Sequence, residues 1–343
     1  MDILFNQKKI NNIKIKNAIV MPPMCMYKSD EDSHLKDFHF THYNARAIGG
    51  VGLIIVEATA VEKRGRISNN DLGLYDDSQI EGHKILNNQI HKYGTKTAIQ
   101  LAHAGRKSVC TNSTPIAPST IKFSDDEGYK TPKEMTSEDI KEVKNLFVNA
   151  AIRAKNAGYD MIELHAAHGY LLCEFLSPIT NQRLDEYGGT LQKRCKLVLE
   201  IASEIIEATN LPLIVRISAD EWEENGWEIK QSIHLCKELE KIGVSAIHVS
   251  AGGNIHKPSL TPNIEPLYQV NYAKQIKESI KIPVIAVGLI TTAQEAEMLL
   301  NNDYCDFVAF GRELLRNPNL PSHIAHEFNI DGVIDKSYLR AFL

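Results

Sequence analysis

Nowhere in the 343 residues do about 18 apolar residues run together, so no segment is expected to cross a bilayer as a helix. A Lys/Arg-rich block is also missing, and the formal charge is -5. A nucleic-acid or anionic-membrane surface, which needs a basic patch, is therefore not expected. Six cysteines (25, 110, 173, 195, 236 and 305) stand apart without a C-x-x-C pair, and no H-E-x-x-H occurs. Spacing thus suggests neither zinc nor an iron–sulfur cluster, and no metal is expected. No G-x-G-x-x-G turn follows an early strand, which argues against a stably bound dinucleotide. The opening stretch MDILFNQKKINNIKIKNAIV alternates polar and apolar residues rather than forming the apolar core of a signal peptide. It predicts a cytoplasmic protein whose cysteines are small buried hydrophobes.

What is present is an ordinary globular composition, 43% hydrophobic and 24% charged, ample for a large core and unlike a disordered chain. Short β-branched apolar runs recur, each followed by a stretch of helical periodicity. Residues 18–22, 53–57, 97–101, 160–164, 213–218, 246–250, 283–287 and 306–310 read as eight strands. Two intervening helices end on Gly94 and Gly158, glycines suited to helix C-termini. Eight β-then-α units without a break fit a closed (β/α)₈ TIM barrel, an α/β fold of one domain, better than an open sheet. The barrel is expected over 1–330, with a short tail over 331–343. Two connections, 102–135 and 165–195, exceed the usual length and follow strand C-termini, where barrel enzymes keep their chemistry.

Barrel strands are covered on both faces, so a polar residue in one needs a partner or a ligand. Gln100, Glu163 and Arg216 each fall near the C-terminal end of a strand. They either converge on a ligand in the barrel mouth or include a structural Arg216–Glu163 pair. Strand seven runs into Gly288 and strand eight into Gly311-Arg312. Glycines there let backbone amides approach a phosphate, and Arg312 adds a permanent cation. A phosphate at that end, with Gln100 and Arg216 deeper in the mouth, suits a mononucleotide with a planar heterocycle, and FMN fits this division.

Six segments, PPMCMY (22–27), QLAHAGRK (100–107), HAAHGYLLCEFLSPITNQRLDEYGG (165–189), VRIS (215–218), AVGLI (286–290) and FGRELLRNP (310–318), give the chain a further reading. In this order the sequence resembles the old yellow enzyme family, most closely its short bacterial, YqjM-like branch of NADPH dehydrogenases. The resemblance implies an FMN-dependent ene-reductase. NADPH or NADH reduces the bound FMN, which passes hydride to the β carbon of an α,β-unsaturated carbonyl or nitro compound in ping-pong fashion. It implies that His165 and His168 bind the substrate oxygen, that Tyr170 protonates the α carbon, and that Cys25 tunes the flavin. Pro23, Ala58, Gln100, Arg216, Gly288, Gly311 and Arg312 would contact the FMN, and Tyr27 would line the substrate pocket. Lys107 resembles a lysine near the flavin, or makes a salt bridge. The run 183–189 would be scaffold.

The resemblance further implies that Tyr338-Leu339-Arg340 reaches a neighbouring subunit's site, so that Arg340 acts in trans within a homodimer or homotetramer. Pro22 departs from the small polar residue expected there, and segments 108–131 and 251–266 match poorly, leaving the lid undefined. Three rivals are weighed against the ene-reductase. Other flavin barrels lack His-x-x-His-x-Tyr or need a cysteine cluster and more domains. A cofactor-free lyase would use Lys107 as a Schiff base, and a flavin redox sensor would use Cys25 as its switch.

Overall fold

The computed structural model describes residues 3–342, so the first two residues of the expected barrel span and the last of the expected tail lie outside the described residues. Eight parallel strands form the barrel: β1 (Ile19–Met21), β2 (Leu53–Ala60), β3 (Lys96–Ala102), β4 (Met161–Ala166), β5 (Leu213–Ser218), β6 (Ala246–Ser250), β7 (Val284–Ala286) and β8 (Phe307–Ala309). Each pairs with its successor, and β8 pairs back to β1, where Val308 faces Ile19. The sheet is thereby closed, and the expectation of a single-domain (β/α)₈ barrel holds. An antiparallel hairpin, Lys8–Ile10 with Ile13–Ile15, precedes the barrel.

Helices cover the strands from outside: α1 (Asp37–Ile48), α2 (Ile80–His91), α3 (Ser137–Asn156), α4 (Leu171–Leu176), α5 (Leu191–Thr209), α6 (Ile229–Lys241), α7 (Val270–Lys277), α8 (Ala293–Asn301), α9 (Arg312–Arg316) and α10 (Leu320–Glu327). The longest of them, α3, shows why these segments form. Thr136 caps it by accepting from the Asp139 amide while Asp139 reaches back to the Thr136 amide, a reciprocal box that satisfies two orphan donors. Ile140, Val143, Phe147, Ala150, Ala151 and Ala154 are buried on one stripe, as a 3.6-residue repeat requires. Gly158, two residues past its end, takes a positive φ of +83°, a backbone that glycine adopts without steric cost.

One strand differs from expectation in a way that shapes the site. Rather than ending at 57, β2 runs to Ala60, with a register shift against β3 between Val56 and Thr59. Glu57 and Ala58 therefore sit in a bulge. Beyond it, Thr59 and Ala60 pair with Leu72 and Gly73, a ninth short strand laid beside the barrel. Bulges increase local twist and re-aim side chains.

Candidate active site

Register brings the polar strand residues into contact. Gln100 lies opposite Glu163 on β3 and β4, while Arg216 on β5 lies between His165 and His248. The Gln100 amide nitrogen donates to Glu163 at 2.8 Å, and the other Glu163 oxygen meets His248 Nδ1 at 2.8 Å. Glu163 is thus engaged by Gln100 and His248, and the anticipated Arg216–Glu163 pair is not made. Arg216 instead donates from Nε and Nη2 to the Ser250 hydroxyl, at 3.2 and 3.0 Å. Among the described residues no carboxylate lies within ion-pair distance of this guanidinium, which is only 7% exposed. A buried cation with no direct ion pair, on which Glu163 acts only through space, favours an electron-rich ligand beside it.

Such a ligand has room. A cavity of about 230 Å³ joins Arg216, His168 and Ser250 to Gln269, Gly288, Gly311 and Arg312. At its outer end the Gly311 and Arg312 amides open α9, where no helix carbonyl precedes them. A Cβ on Gly311 would meet only Met24 and Pro22, at 3.7 and 3.8 Å, so the protein itself leaves that space open. Gly288 differs: with φ at +132°, its Cβ would lie 2.9 Å from Gln269 Cβ, so close packing as well as conformation requires glycine. Arg312 is exposed and forms no ion pair among the described residues. Donors at the outer end and a guanidinium without an ion pair inside fit a phosphate-bearing planar heterocycle such as FMN, while Gln100 is not among the residues lining this cavity.

The end of β4 carries His165, and the loop that follows carries His168 and Tyr170. The ring centroids of His165 and His168 lie 5.2 Å apart, and those of His165 and Tyr170 5.0 Å. His165 Nδ1 accepts the Ala167 amide at 3.2 Å, which leaves the proton of the neutral ring on Nε2. Burial first, and then the nearby Arg216, holds both imidazoles well below the usual histidine range, so both are neutral donors at physiological pH. His168 has a left-handed backbone, φ +59°, uncommon for a residue with a Cβ. Both of its peptide groups are tied: its amide donates to Ser218 Oγ at 2.8 Å, and its carbonyl accepts from Lys107 Nζ at 2.9 Å.

Lys107 also donates to the Gly253 carbonyl at 3.0 Å, and it lies 5.2 Å over the Tyr170 ring and 4.5 Å over Phe123. The alternative weighed for it, a salt bridge, is not formed among the described residues. Lys107 instead fastens the loop after β4 to the loop after β6, and burial lowers its amine to about 8. These loops touch back to back, since a Cβ on Gly169 would lie 2.4 Å from the Gly253 carbonyl oxygen. Segment 108–131 closes over them: Phe123 packs edge-on against Tyr129 and against His256 of the loop after β6. Sequence reasoning missed Phe123, Ser250, His248 and Gln269. Of these, His248 and Ser250, polar residues within the AIHVS strand, carried a signal that could have been read.

On the other side of the mouth, Cys25 is half-buried and the Tyr27 ring exposed. Burial first, and then Asp71 and Glu57, pushes the Cys25 thiol far up, so it stays protonated. Pro23 is buried beneath this loop, and Ala58 lies in the β2 bulge. Arg340 is elsewhere. It is exposed in a short 3-10 turn, Leu339–Ala341, on a tail whose Val333 and Phe342 pack near Gly50 and His326. Gly50 precedes β2, so within one chain the tail starts out at the opposite rim from the site.

The chain matches the family model described as NADH:flavin oxidoreductase / NADH oxidase over residues 3–331. It is 46% identical over 340 residues to an NADPH dehydrogenase of Bacillus pumilus, covering 99% of both chains. Morphinone reductase superposes with a TM-score of 0.81 at 28% identity, over 94% of this chain and 88% of that one. A 2-naphthoyl-CoA reductase superposes at 0.88 and 23% identity over 95% of this chain, which spans only 52% of that longer protein.

Proposed function

Since the chain belongs to the NADH:flavin oxidoreductase / NADH oxidase family, with the old yellow enzymes, and is an FMN- and NAD(P)H-dependent oxidoreductase, we propose that it reduces activated carbon–carbon double bonds. When bound, FMN would supply a two-electron carrier between NADPH or NADH and the β carbon of the alkene. Gln100, Arg216, Gly288, Gly311 and Arg312, with Pro23, Cys25 and Ala58, would hold it. The observation that carries the reading is the pair of neutral imidazoles beside a phenol. Hydride addition to an enone or nitroalkene drives negative charge onto the substrate oxygen, and His165 and His168 donate there. Tyr170 is held protonated by burial and by neighbouring Cys25 and Tyr27, and so can deliver the proton to the α carbon. One hydride and one proton complete the reduction. Tyr27 lines the pocket on the other side.

Lys107 is occupied by two backbone carbonyls, which speaks against the Schiff-base lyase. Burial first, and then Asp71 and Glu57, keeps the Cys25 thiol protonated, which speaks against a redox switch as its main role. The exposed Arg340 turn supports action in trans, in a homodimer or homotetramer, since its own site lies across the barrel. Six free cysteines and the lack, among described residues, of a helix long and apolar enough to span a membrane agree with a cytoplasmic enzyme. Anaerobic stopped-flow provides the test. NADPH should bleach the bound flavin and cyclohexenone should recolour it; failure of cyclohexenone to reoxidise the flavin removes the alkene from the reading.

A further inference from the structure

The bulge in β2 turns the Glu57 carboxylate away from the barrel ladder and under the loop that carries Cys25, Met26 and Tyr27. Its amide, freed from the ladder, donates to the Tyr43 hydroxyl at 3.0 Å. That hydroxyl must therefore give its own proton to Glu57 Oε1, also at 3.0 Å. The second carboxylate oxygen accepts the Met26 amide at 2.7 Å, and the Tyr27 amide also donates to the group. The next bulge residue, Ala58, hydrogen-bonds through its backbone to Cys25. No regular secondary structure spans residues 22–30, so the two bulge residues are principal anchors of this loop.

Glu57 is 1% exposed and, among the described residues, has no Lys or Arg within ion-pair distance. His39 on α1 comes closest, with Nε2 at 3.7 Å from Oε1. The His39 Nδ1 accepts the Lys36 amide, so Nε2 bears the proton, is buried and has no other partner. Burial holds this imidazole down at about 4, so it stays neutral. The remaining titratable neighbours are Tyr43 from α1, Tyr159 at the start of β4, Asp71 from the loop before the ninth strand, and Cys25 and Tyr27 above. Burial pushes the Glu57 carboxyl up to about 7 against the pull of the Met26 and Tyr43 donors. Every partner of the carboxylate except the tyrosine hydroxyl is an obligate donor. A protonated carboxyl keeps one possible acceptor, the Tyr43 hydroxyl, and loses the charge that strengthens its hydrogen bonds from the Met26 and Tyr27 amides.

We propose that Glu57 is a proton-linked positioning residue: its ionised carboxylate holds the Cys25–Tyr27 loop in the arrangement that binds substrate, and its protonation loosens the Met26 amide and weakens binding. The proposal rests on the ene-reductase reading only in taking Tyr27 as part of the substrate pocket. It is tested on the FMN-loaded protein without turnover. The Kd for cyclohexenone, read from its perturbation of the flavin absorption band, should rise roughly fivefold between pH 8.5 and 5.5, about what a hydrogen bond loses when its acceptor gives up its charge. In Glu57→Gln the Kd should be weak and independent of pH. In protein carrying carbon-13 glutamate, the resonance missing from Glu57→Gln should titrate near neutrality with the same midpoint; this part needs only the wild type to be well behaved, with the variant as assignment. A Glu57 carboxyl that stays in one form from pH 5.5 to 8.5, or a Kd whose pH dependence survives in Glu57→Gln, overturns the proposal. Bound cyclohexenone that fails to recolour reduced flavin would instead count against the alkene chemistry and leave the titration standing.

Discussion

At the scale of single residues, the site depends on which atoms are already engaged. His165 has one ring nitrogen committed to the Ala167 amide, so only Nε2–H remains for a substrate oxygen. Removing it should cost the oxidative half-reaction on the order of 100-fold, the usual worth of one oxyanion donor, and leave flavin binding nearly intact. Stopped-flow of His165→Ala, with flavin content measured separately, checks this; equal losses in both would assign the histidine to the cofactor. Residue type announced much of this set, because Gln100, Glu163 and Arg216 are polar where a covered strand should be apolar. Partner choice was not announced. Glu163 was legible as a charge needing a partner, but the partners are Gln100 and His248, set by barrel register and not by nearness in sequence.

At the scale of elements, strands and capped helices follow from local pattern, whereas the loops after β4 and β6 follow from each other. Gly169 and Gly253 have φ of +73° and +89°, and each would collide with the other loop if it carried a Cβ. Gly169→Ala should therefore destabilise the protein by at least about 2 kcal/mol, combining left-handed strain with overpacking. It should also raise KM by displacing His168. Urea denaturation and steady-state kinetics measure the two effects, and a change below about 0.5 kcal/mol would mean that the contact yields easily. The sequence marks both positions as glycine but does not say that they face each other. Lys107 illustrates the same limit: its three donors can satisfy a salt bridge or stray carbonyls equally well, and only the approach of two loops puts His168 and Gly253 carbonyls within its reach.

At the scale of the whole molecule, closing the barrel puts the strand C-termini at one rim and the tail at the other, so the expected role of Arg340 needs a second subunit. Co-expressing an Arg340→Ala chain with a His165→Ala chain should restore activity relative to either homo-oligomer, because a mixed pair rebuilds one intact site. No restoration would mean that Arg340 does not act across subunits. The sequence by itself determined the number and order of the barrel strands, the rim expected to carry chemistry, and the residue types there. These depend on periodicities and strand ends that are local along the chain. Only the tertiary structure decided the bulge at Glu57–Ala58, the left-handed His168, the Lys107 bridge and the lid at Phe123. Each is set by contacts between segments distant in sequence, as between Lys107 and Gly253, 146 residues apart, which leaves local preference outvoted by contact.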